Sequence, residues 1–233
     1  MTTKPDITGR MAGALYVVVI VTGMFSLVYV PGKIHLTGTA EAVAKSIASN
    51  QSLYRLGILS WLINSVAFLL LPLAFYRLFH AVHRQAAILM VAFALMSIPI
   101  SLIASGNQLD VLSLTGGKPL LQTISGEVRN AMMMQSLGAY GSGMFVAQLF
   151  WGLWLFPLGY LIVKSRAVPR VFGVLLLLGG VGYLVQEFGS LLYSDFGKTL
   201  LSQFVTLPAA AGEIGLGFWL LLRGIRRTPV DSD

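Results

Sequence analysis

Two carboxylic acids, Glu187 and Glu213, lie inside long apolar stretches of this 233-residue sequence. A charged side chain at the centre of a lipid bilayer costs at least about 2.5–3.5 kcal/mol, so it persists where it is paired, hydrated or neutralised. If both stretches are helices, Glu187 lies roughly 8 Å and Glu213 roughly 12 Å from the same end of the bundle. The two acids are close enough in depth to share one site, and an acid among apolar helices suits proton-linked chemistry.

Four other polar residues occupy positions from which they could join the two acids. Arg55 enters the second apolar stretch from the same side and would supply a counter-charge, although an arginine at such a boundary often extends to the membrane surface instead. We therefore expect one intramembrane polar cluster. Its members are Arg55, Asn64, Gln148, Tyr183, Glu187 and Glu213. The alternative is that these groups only hydrogen-bond the helices to one another.

Small residues follow the helix faces that carry the acids. Ala209, Glu213 and Gly217 are spaced by four residues in the last apolar stretch, and Gly179 precedes Glu187 in the stretch before it at a helical spacing. Because small side chains let two helix backbones approach closely, this spacing predicts tight helix contacts beside the acids.

The sequence offers little for other kinds of chemistry. His80 and His83 have a spacing that can bind a metal, but no carboxylate or cysteine lies nearby in that loop, so titratable neighbours of lipid headgroups are the simpler interpretation. The run Met132 to Met134 is better explained by an apolar helix entry than by a soft-metal site. Cysteine is absent, and no zinc-protease, phosphate-loop, Rossmann or nucleophile-elbow motif occurs. We therefore predict no cofactor, no metal and no catalytic residue, and an enzyme is the least favoured class.

The composition is that of a membrane protein. Hydrophobic residues make up 56% of the chain and charged residues 11%, whereas soluble domains contain about 25% charged residues. Six apolar runs satisfy the length of about 20 residues that a spanning helix needs. They cover residues 11–30, 53–79, 86–105, 137–163, 171–192 and 204–222. We predict an all-α fold, a polytopic bundle of six transmembrane helices that forms one integral-membrane domain over residues 1–233.

Two connections between these runs have the pattern of short surface helices. Residues 37–51 place apolar side chains on one helical face, with Thr39 as a candidate N-cap and Glu41 in the first turn. In the longest connection, Pro119 suits a first helical position, and apolar residues then repeat at helical spacing as far as Ala131. We predict a surface helix in each connection.

Lysine and arginine are distributed unevenly between the two sides of the bundle. If the N-terminus is cytoplasmic, ten of the 16 basic residues lie on that side, where the loops are also short. The positive-inside rule then predicts that both termini are cytoplasmic and that the surface helices lie outside. The net charge of +7 accordingly indicates contacts with anionic lipids, and no nucleic acid is expected as a partner.

Short motifs that recur in one known family are spread over almost the whole chain. They are Arg10-x-x-Gly13, Leu53-Tyr54-Arg55-Leu56-Gly57, Leu158-Gly159-Tyr160-Leu161, Pro169-Arg170-x-x-Gly173, Gly182-Tyr183-Leu184 and Gly212-Glu213. In their order and spacing, the sequence resembles the bacterial multi-pass membrane family catalogued as domain of unknown function 4386. Where the family pattern has an acid after its Gly-Tyr-Leu-x stretch, this chain has Gln186, and the acid follows at Glu187. The resemblance implies a bacterial inner membrane, the topology and the polar cluster. It implies no activity, because none is established for the family.

Two classes of function fit these features. The first is a non-enzymatic module that binds a small or lipophilic ligand, senses it or acts as a scaffold, with membrane lipids as its surroundings. The alternative is a small proton-coupled transporter, suggested by two acids at unequal depth. Solute flux that needs both a pH gradient and Glu213 would distinguish the transporter from the binding module.

Overall fold

The structure, a computed structural model, describes residues 7–116 and 123–225. In these two ranges the chain is helical and contains no strand. Helix α1 (Ile7–Met24) continues through a π-helical turn (Phe25–Tyr29) into α2 (Val30–Lys33). The elements that follow are α3 (Ala40–Ser49), α4 (Gln51–Phe79), α5 (Arg84–Thr115), α6 (Gly126–Ser165), α7 (Arg170–Leu192), a 3-10 turn (Phe196–Lys198), α8 (Leu200–Phe204) and α9 (Leu207–Arg223).

Within residues 7–116 and 123–225, six helical segments are long and apolar enough to cross a membrane. They are Ile7–Lys33, Gln51–Phe79, Arg84–Thr115, Gly126–Ser165, Arg170–Leu192 and Leu200–Arg223. Each contains one of the six runs that the sequence predicts, except that the first and last runs are divided by the π-helical turn and by the break between α8 and α9. The predicted all-α architecture with six long apolar helices is therefore confirmed.

Two of the helices are longer than their apolar runs. Helix α5 continues past residue 105 through Gln108 and Asp110. These polar side chains end the apolar run because they lower the hydropathy, but they do not interrupt the backbone hydrogen bonds of the helix. Helix α6 begins at Gly126, where the hydroxyl of Ser125 accepts a hydrogen bond from the N–H of Val128 at 3.4 Å. Hydropathy thus locates the spans, whereas caps and turns decide where the helices end.

The first predicted surface helix is present as α3. The hydroxyl of Thr39 accepts a hydrogen bond from the N–H of Ala42 at 3.3 Å, which is the expected N-cap. The structure differs in the longest connection, because residues 126–131 form the first turns of α6 instead of a separate surface helix. No proline or glycine follows Gly126 there to break the helix before the apolar span. Pro119 and its neighbours, residues 117–122, lie outside the described residues.

The described residues divide into two compact units. The first comprises the described parts of Met1–Ile20, Ala67–Ile98 and Ala147–Asp233. Its core is aromatic: the ring of Trp154 meets Phe68 edge to face with centroids 5.1 Å apart, and Tyr16 meets Phe75 in the same way at 5.8 Å. Edge contacts of this kind add about 0.5–1.5 kcal/mol to the burial of the rings. They also fix the direction in which the Tyr16 hydroxyl points.

The second unit comprises the described parts of Val21–Val66 and Pro99–Val146. Its apolar cluster combines Val43 and Ile47 of α3 with Tyr54 of α4 and Val111 of α5. Because both α3 side chains are fully buried in that cluster, α3 is packed onto the longer helices of its unit.

Candidate functional site

Helices α7 and α9 pack backbone to backbone in the first unit. A Cβ atom placed on Gly179 would lie 2.5 Å from the Cα of Ala209, and one on Gly212 would lie 3.1 Å from the side chain of Leu176. A Cβ atom on Gly182 would overlap the carbonyl oxygen of Val205. The tight contact that the small-residue spacing predicts is therefore present, and it holds the two acid-bearing helices side by side.

Glu213 accepts a hydrogen bond from the first helix. The hydroxyl of Tyr16 on α1 donates to Oε1 of Glu213 at 3.1 Å, and Tyr16 is only 1% exposed. Close contact of α1 with α9 allows this bond, since a Cβ atom on Gly13 would lie 2.6 Å from the carbonyl carbon of Leu220. The carboxyl group of Glu213 is thus oriented by a buried phenol on another helix.

Glu187 and Tyr183 complete the group on α7. The hydroxyl of Tyr183 interacts electrostatically with the carboxyl groups of both Glu187 and Glu213. Glu187 is 4% exposed, and its Oε2 atom has no hydrogen-bond partner within the described residues. We call Tyr16, Tyr183, Glu187 and Glu213 the carboxyl site. Leaving a buried polar atom unpaired costs about 1–3 kcal/mol of stability. The lack of a hydrogen-bond partner for Oε2 of Glu187 therefore requires an explanation.

Among the described residues of the first unit, no basic side chain pairs with these acids. The ion pair that forms there is Lys198 with Asp195, at 2.6 Å, and both of those side chains are exposed. The carboxyl site therefore consists of two acids and two neutral hydrogen-bond donors. Such a set can exchange protons or accept hydrogen bonds from a bound group, and it has no positive charge to hold an anion.

The six residues of the predicted polar cluster are distributed over both units. Tyr183, Glu187 and Glu213 come together in the first unit, where Gln148 is half-buried on α6. In the second unit Arg55 is exposed, and Asn64 is buried with its Nδ2 atom donating to Oγ1 of Thr22 at 3.1 Å. The convergence of all six residues stays a prediction. The bond from Asn64 to Thr22 shows that at least one of them joins helices, as the structural alternative proposes.

Two residues of these networks are absent from the predicted cluster. Tyr16 follows Gly13 by three residues within the first apolar run, so an aromatic hydroxyl beside a small residue was the available signal. Thr22 accepts two hydrogen bonds from α4, because its carbonyl oxygen also accepts from the hydroxyl of Ser60 at 3.0 Å. Nothing in the sequence pattern separates Thr22 from other threonines of apolar helices.

Gln186, which stands where the family pattern has an acid, bridges two elements. Its Oε1 atom accepts a hydrogen bond from the hydroxyl of Ser202 on α8 at 3.0 Å, and its Nε2 atom donates to Ser190 at 3.4 Å. Gln186 therefore connects the end of α7 to the short helix that precedes α9. Glu187, one residue later, points into the carboxyl site.

His80 and His83 interact with backbone groups of neighbouring residues. Nδ1 of His83 accepts a hydrogen bond from the N–H of Ala86 at 3.1 Å and so caps α5, while Nδ1 of His80 lies 3.1 Å from the carbonyl oxygen of Tyr76. Met133 is buried in the core of the second unit. No group of three or more metal-binding side chains occurs within residues 7–116 and 123–225.

Comparisons with known proteins support the architecture and add no activity. A protein of Archaeoglobus fulgidus, described as "Uncharacterized protein", is 27% identical over 99 residues, which are 42% of this chain and 57% of that protein. The match thus spans little more than half the length of this curated relative. No solved structure matches. The family model described as "Domain of unknown function (DUF4386)" matches residues 11–224, nearly the whole chain. The chain is therefore a member of this family.

Proposed function

We propose that this membrane protein is a ligand-binding module whose recognition site is the carboxyl site on α1, α7 and α9. The observation that carries the proposal is the buried Oε2 atom of Glu187, which lacks a hydrogen-bond partner within the described residues. A bound group that donates a hydrogen bond to this oxygen would remove the cost of leaving it unpaired.

The chemistry of the site favours a particular kind of ligand. Its two acids, Glu187 and Glu213, accept hydrogen bonds, and the hydroxyl of Tyr16 is already used by Glu213. The surrounding core is formed by apolar and aromatic side chains such as Trp154 and Leu216. We therefore expect a small lipophilic molecule that carries a hydroxyl or amine group at one end, and we favour binding or sensing over a reaction.

The test is to identify what copurifies with the protein in mild detergent. Wild-type protein, Glu187→Gln and Glu213→Gln are extracted with organic solvent, and the extracts are compared by mass spectrometry. Asp195→Asn is the matched control, because it removes an exposed carboxylate of the same unit. We expect one compound at near-stoichiometric amounts in wild type and control and a loss of at least tenfold in both Gln variants. Equal amounts in all four samples, or bulk membrane lipid alone in wild type, would contradict the proposal.

A proton-coupled transporter is the second candidate, and the position of Tyr183 favours it. This hydroxyl interacts with both carboxyl groups, so it could pass a proton between acids that lie about one helical turn apart in depth. In proteoliposomes with a pH gradient, uptake of the copurified compound that disappears in Glu213→Gln would support transport. Binding without gradient-driven uptake would leave the module as a sensor or carrier.

We also propose that the chain lies in the bacterial cytoplasmic membrane with both termini in the cytoplasm. The support is the excess of basic residues on the side of the termini. Because the chain contains no cysteine, single cysteines at Lys164 and Lys45 can be labelled selectively in intact cells. A membrane-impermeant reagent should label the variant at Lys45 and leave the variant at Lys164 unlabelled, and the reverse pattern would invert the topology.

A further inference from the structure

A small enclosed cavity lies within the second unit. Its volume is about 30 Å³. Most of its wall is apolar, with Val30, Ile34 and Leu137 among the lining residues. Four polar residues also line it: Ser26, Tyr54, Gln108 and Tyr140. These four come from the π-helical turn, α4, α5 and α6 respectively, so every long segment of the unit contributes one polar group.

Two of these polar groups are buried without a partner. The hydroxyl of Tyr54 and the Oε1 atom of Gln108 have no hydrogen bond within the described residues, and Tyr54 is only 3% exposed. Tyr54 nevertheless interacts with the side chains of both Tyr140 and Gln108, and its polar contact with Gln108 does not have hydrogen-bond geometry. The groups are thus close neighbours that face one cavity, yet no direct hydrogen bond joins Tyr54 to Gln108.

In the π-helical turn one backbone carbonyl loses its usual helical donor. In an α-helix the carbonyl oxygen of Ser26 would accept from the N–H of Val30, but that N–H donates to the carbonyl oxygen of Phe25. In a π-helix it would accept from residue 31, which is proline and has no N–H. The carbonyl of Ser26 is therefore without a donor in its own helix, and Ser26 is buried against the cavity.

We infer that this cavity binds one or two ordered water molecules, which bridge Tyr54, Gln108 and Ser26. A buried water needs a cavity of at least about 10–15 Å³ and two to four polar partners. The cavity exceeds that volume, at about 30 Å³, and cannot take a larger organic molecule. A cavity lined by unpaired polar groups is the usual place for a bridging water. The water joins α4 and α5 to the π-helical turn and so stabilises the turn in its irregular form.

The sign of a stability change tests this inference. If the cavity is hydrated, Tyr54→Phe removes one hydrogen bond from a satisfied network, and the midpoint of thermal unfolding falls by about 2–4 °C. Gln108→Leu should have an effect of the same sign. If the cavity is dry, each substitution replaces an unpaired polar atom by an apolar one, and the midpoint stays the same or rises. Tyr29→Phe is the control, since Tyr29 is an exposed tyrosine of the same unit and should change nothing.

A direct measurement keeps the test decisive if a variant fails to fold. A crystal or cryo-EM map of the wild-type protein at a resolution that shows ordered water should contain density within hydrogen-bonding distance of both the Tyr54 hydroxyl and Gln108 Oε1. A map without such density, or a higher unfolding midpoint in Tyr54→Phe, would overturn the inference.

Discussion

The hydrogen bond from Tyr16 to Glu213 provides a quantitative test of the carboxyl site. A double-mutant cycle with Tyr16→Phe and Glu213→Leu isolates the energy of this pair from the effect of each substitution on packing. The two atoms are 3.1 Å apart and the donor, Tyr16, is buried at 1% exposure. Polar pairs between membrane helices contribute about 0.6 kcal/mol on average and about 1.7 kcal/mol at most. Hydrogen bonds to charged groups contribute about 1.5–3 kcal/mol.

The size of the coupling therefore reports the charge on Glu213. We expect a coupling free energy of about 0.6–1.7 kcal/mol if the carboxyl group is neutral and about 1.5–3 kcal/mol if it is ionised. A second cycle with Glu213→Gln in place of Glu213→Leu separates these cases, because glutamine keeps a neutral oxygen that can accept from Tyr16. If Glu213 is ionised, the Gln variant loses most of the interaction with Tyr16, so the second cycle gives a coupling free energy close to that of the first. If Glu213 is neutral, the Gln variant keeps the interaction, so the second cycle gives a coupling free energy near zero.

The assay is reversible unfolding in mixed detergent micelles, followed by tryptophan fluorescence. Tyr160→Phe is the matched control, because Tyr160 accepts a hydrogen bond from Lys164 at the same 3.1 Å but is exposed. Loss of an exposed contact of this kind should cost about 0–1 kcal/mol. A coupling below about 0.3 kcal/mol between Tyr16 and Glu213 would lie within the additivity of independent sites. That result would refute the carboxyl site as a connected unit.

Two further predictions concern the contacts that position the helices. Gly182→Ala should lower the free energy of unfolding by about 1–3 kcal/mol, because its Cβ atom would overlap the backbone of the segment before α9. A Cβ atom on Gly141 would meet no neighbouring atom, so Gly141→Ala should raise the free energy of unfolding by about 0.5–1 kcal/mol. Equal effects of the two substitutions would contradict the packing argument. Asn64→Ala should cost about 0.6–1.7 kcal/mol through the lost bond to Thr22. Because that interaction belongs to one pair, Asn64→Ala made in a Thr22→Val background should cost less than in wild type, and an undiminished cost would show that Thr22 is not its partner.

The spans and the first surface helix could be predicted from sequence because both depend on local properties. A run of about 20 apolar residues specifies a membrane helix by its length alone. The N-cap at Thr39 and the apolar face of α3 are likewise encoded within a dozen residues. The extension of α5 through Gln108 and Asp110 was not predicted, since hydropathy measures the preference for lipid and carries no information on backbone continuity.

The partners of the polar residues could not be predicted, because they depend on which helices meet. Glu213 is distinguishable in sequence as an acid within an apolar run, but Tyr16 is 197 residues away in the chain. Asn64 is a buried amide that donates to Thr22 in the second unit, and the spacing of residues along one helix cannot determine this partner.

Small residues, more than the acids, decide where the carboxyl site forms. Gly179 and Gly182 bring the backbone of α7 against the segment that leads into α9, and Gly13 brings α1 against the other end of α9. A larger side chain at Gly13 would push α1 away from α9 and lengthen the 3.1 Å bond from Tyr16 to Glu213. A larger side chain at Gly179 or Gly182 would instead push α7, which carries Glu187, away from α9 and the segment before it. The acids alone would then be isolated charges in apolar surroundings, which the membrane disfavours. Under the proposed function, larger side chains at these glycines should therefore lower the amount of copurified ligand as much as Glu187→Gln does.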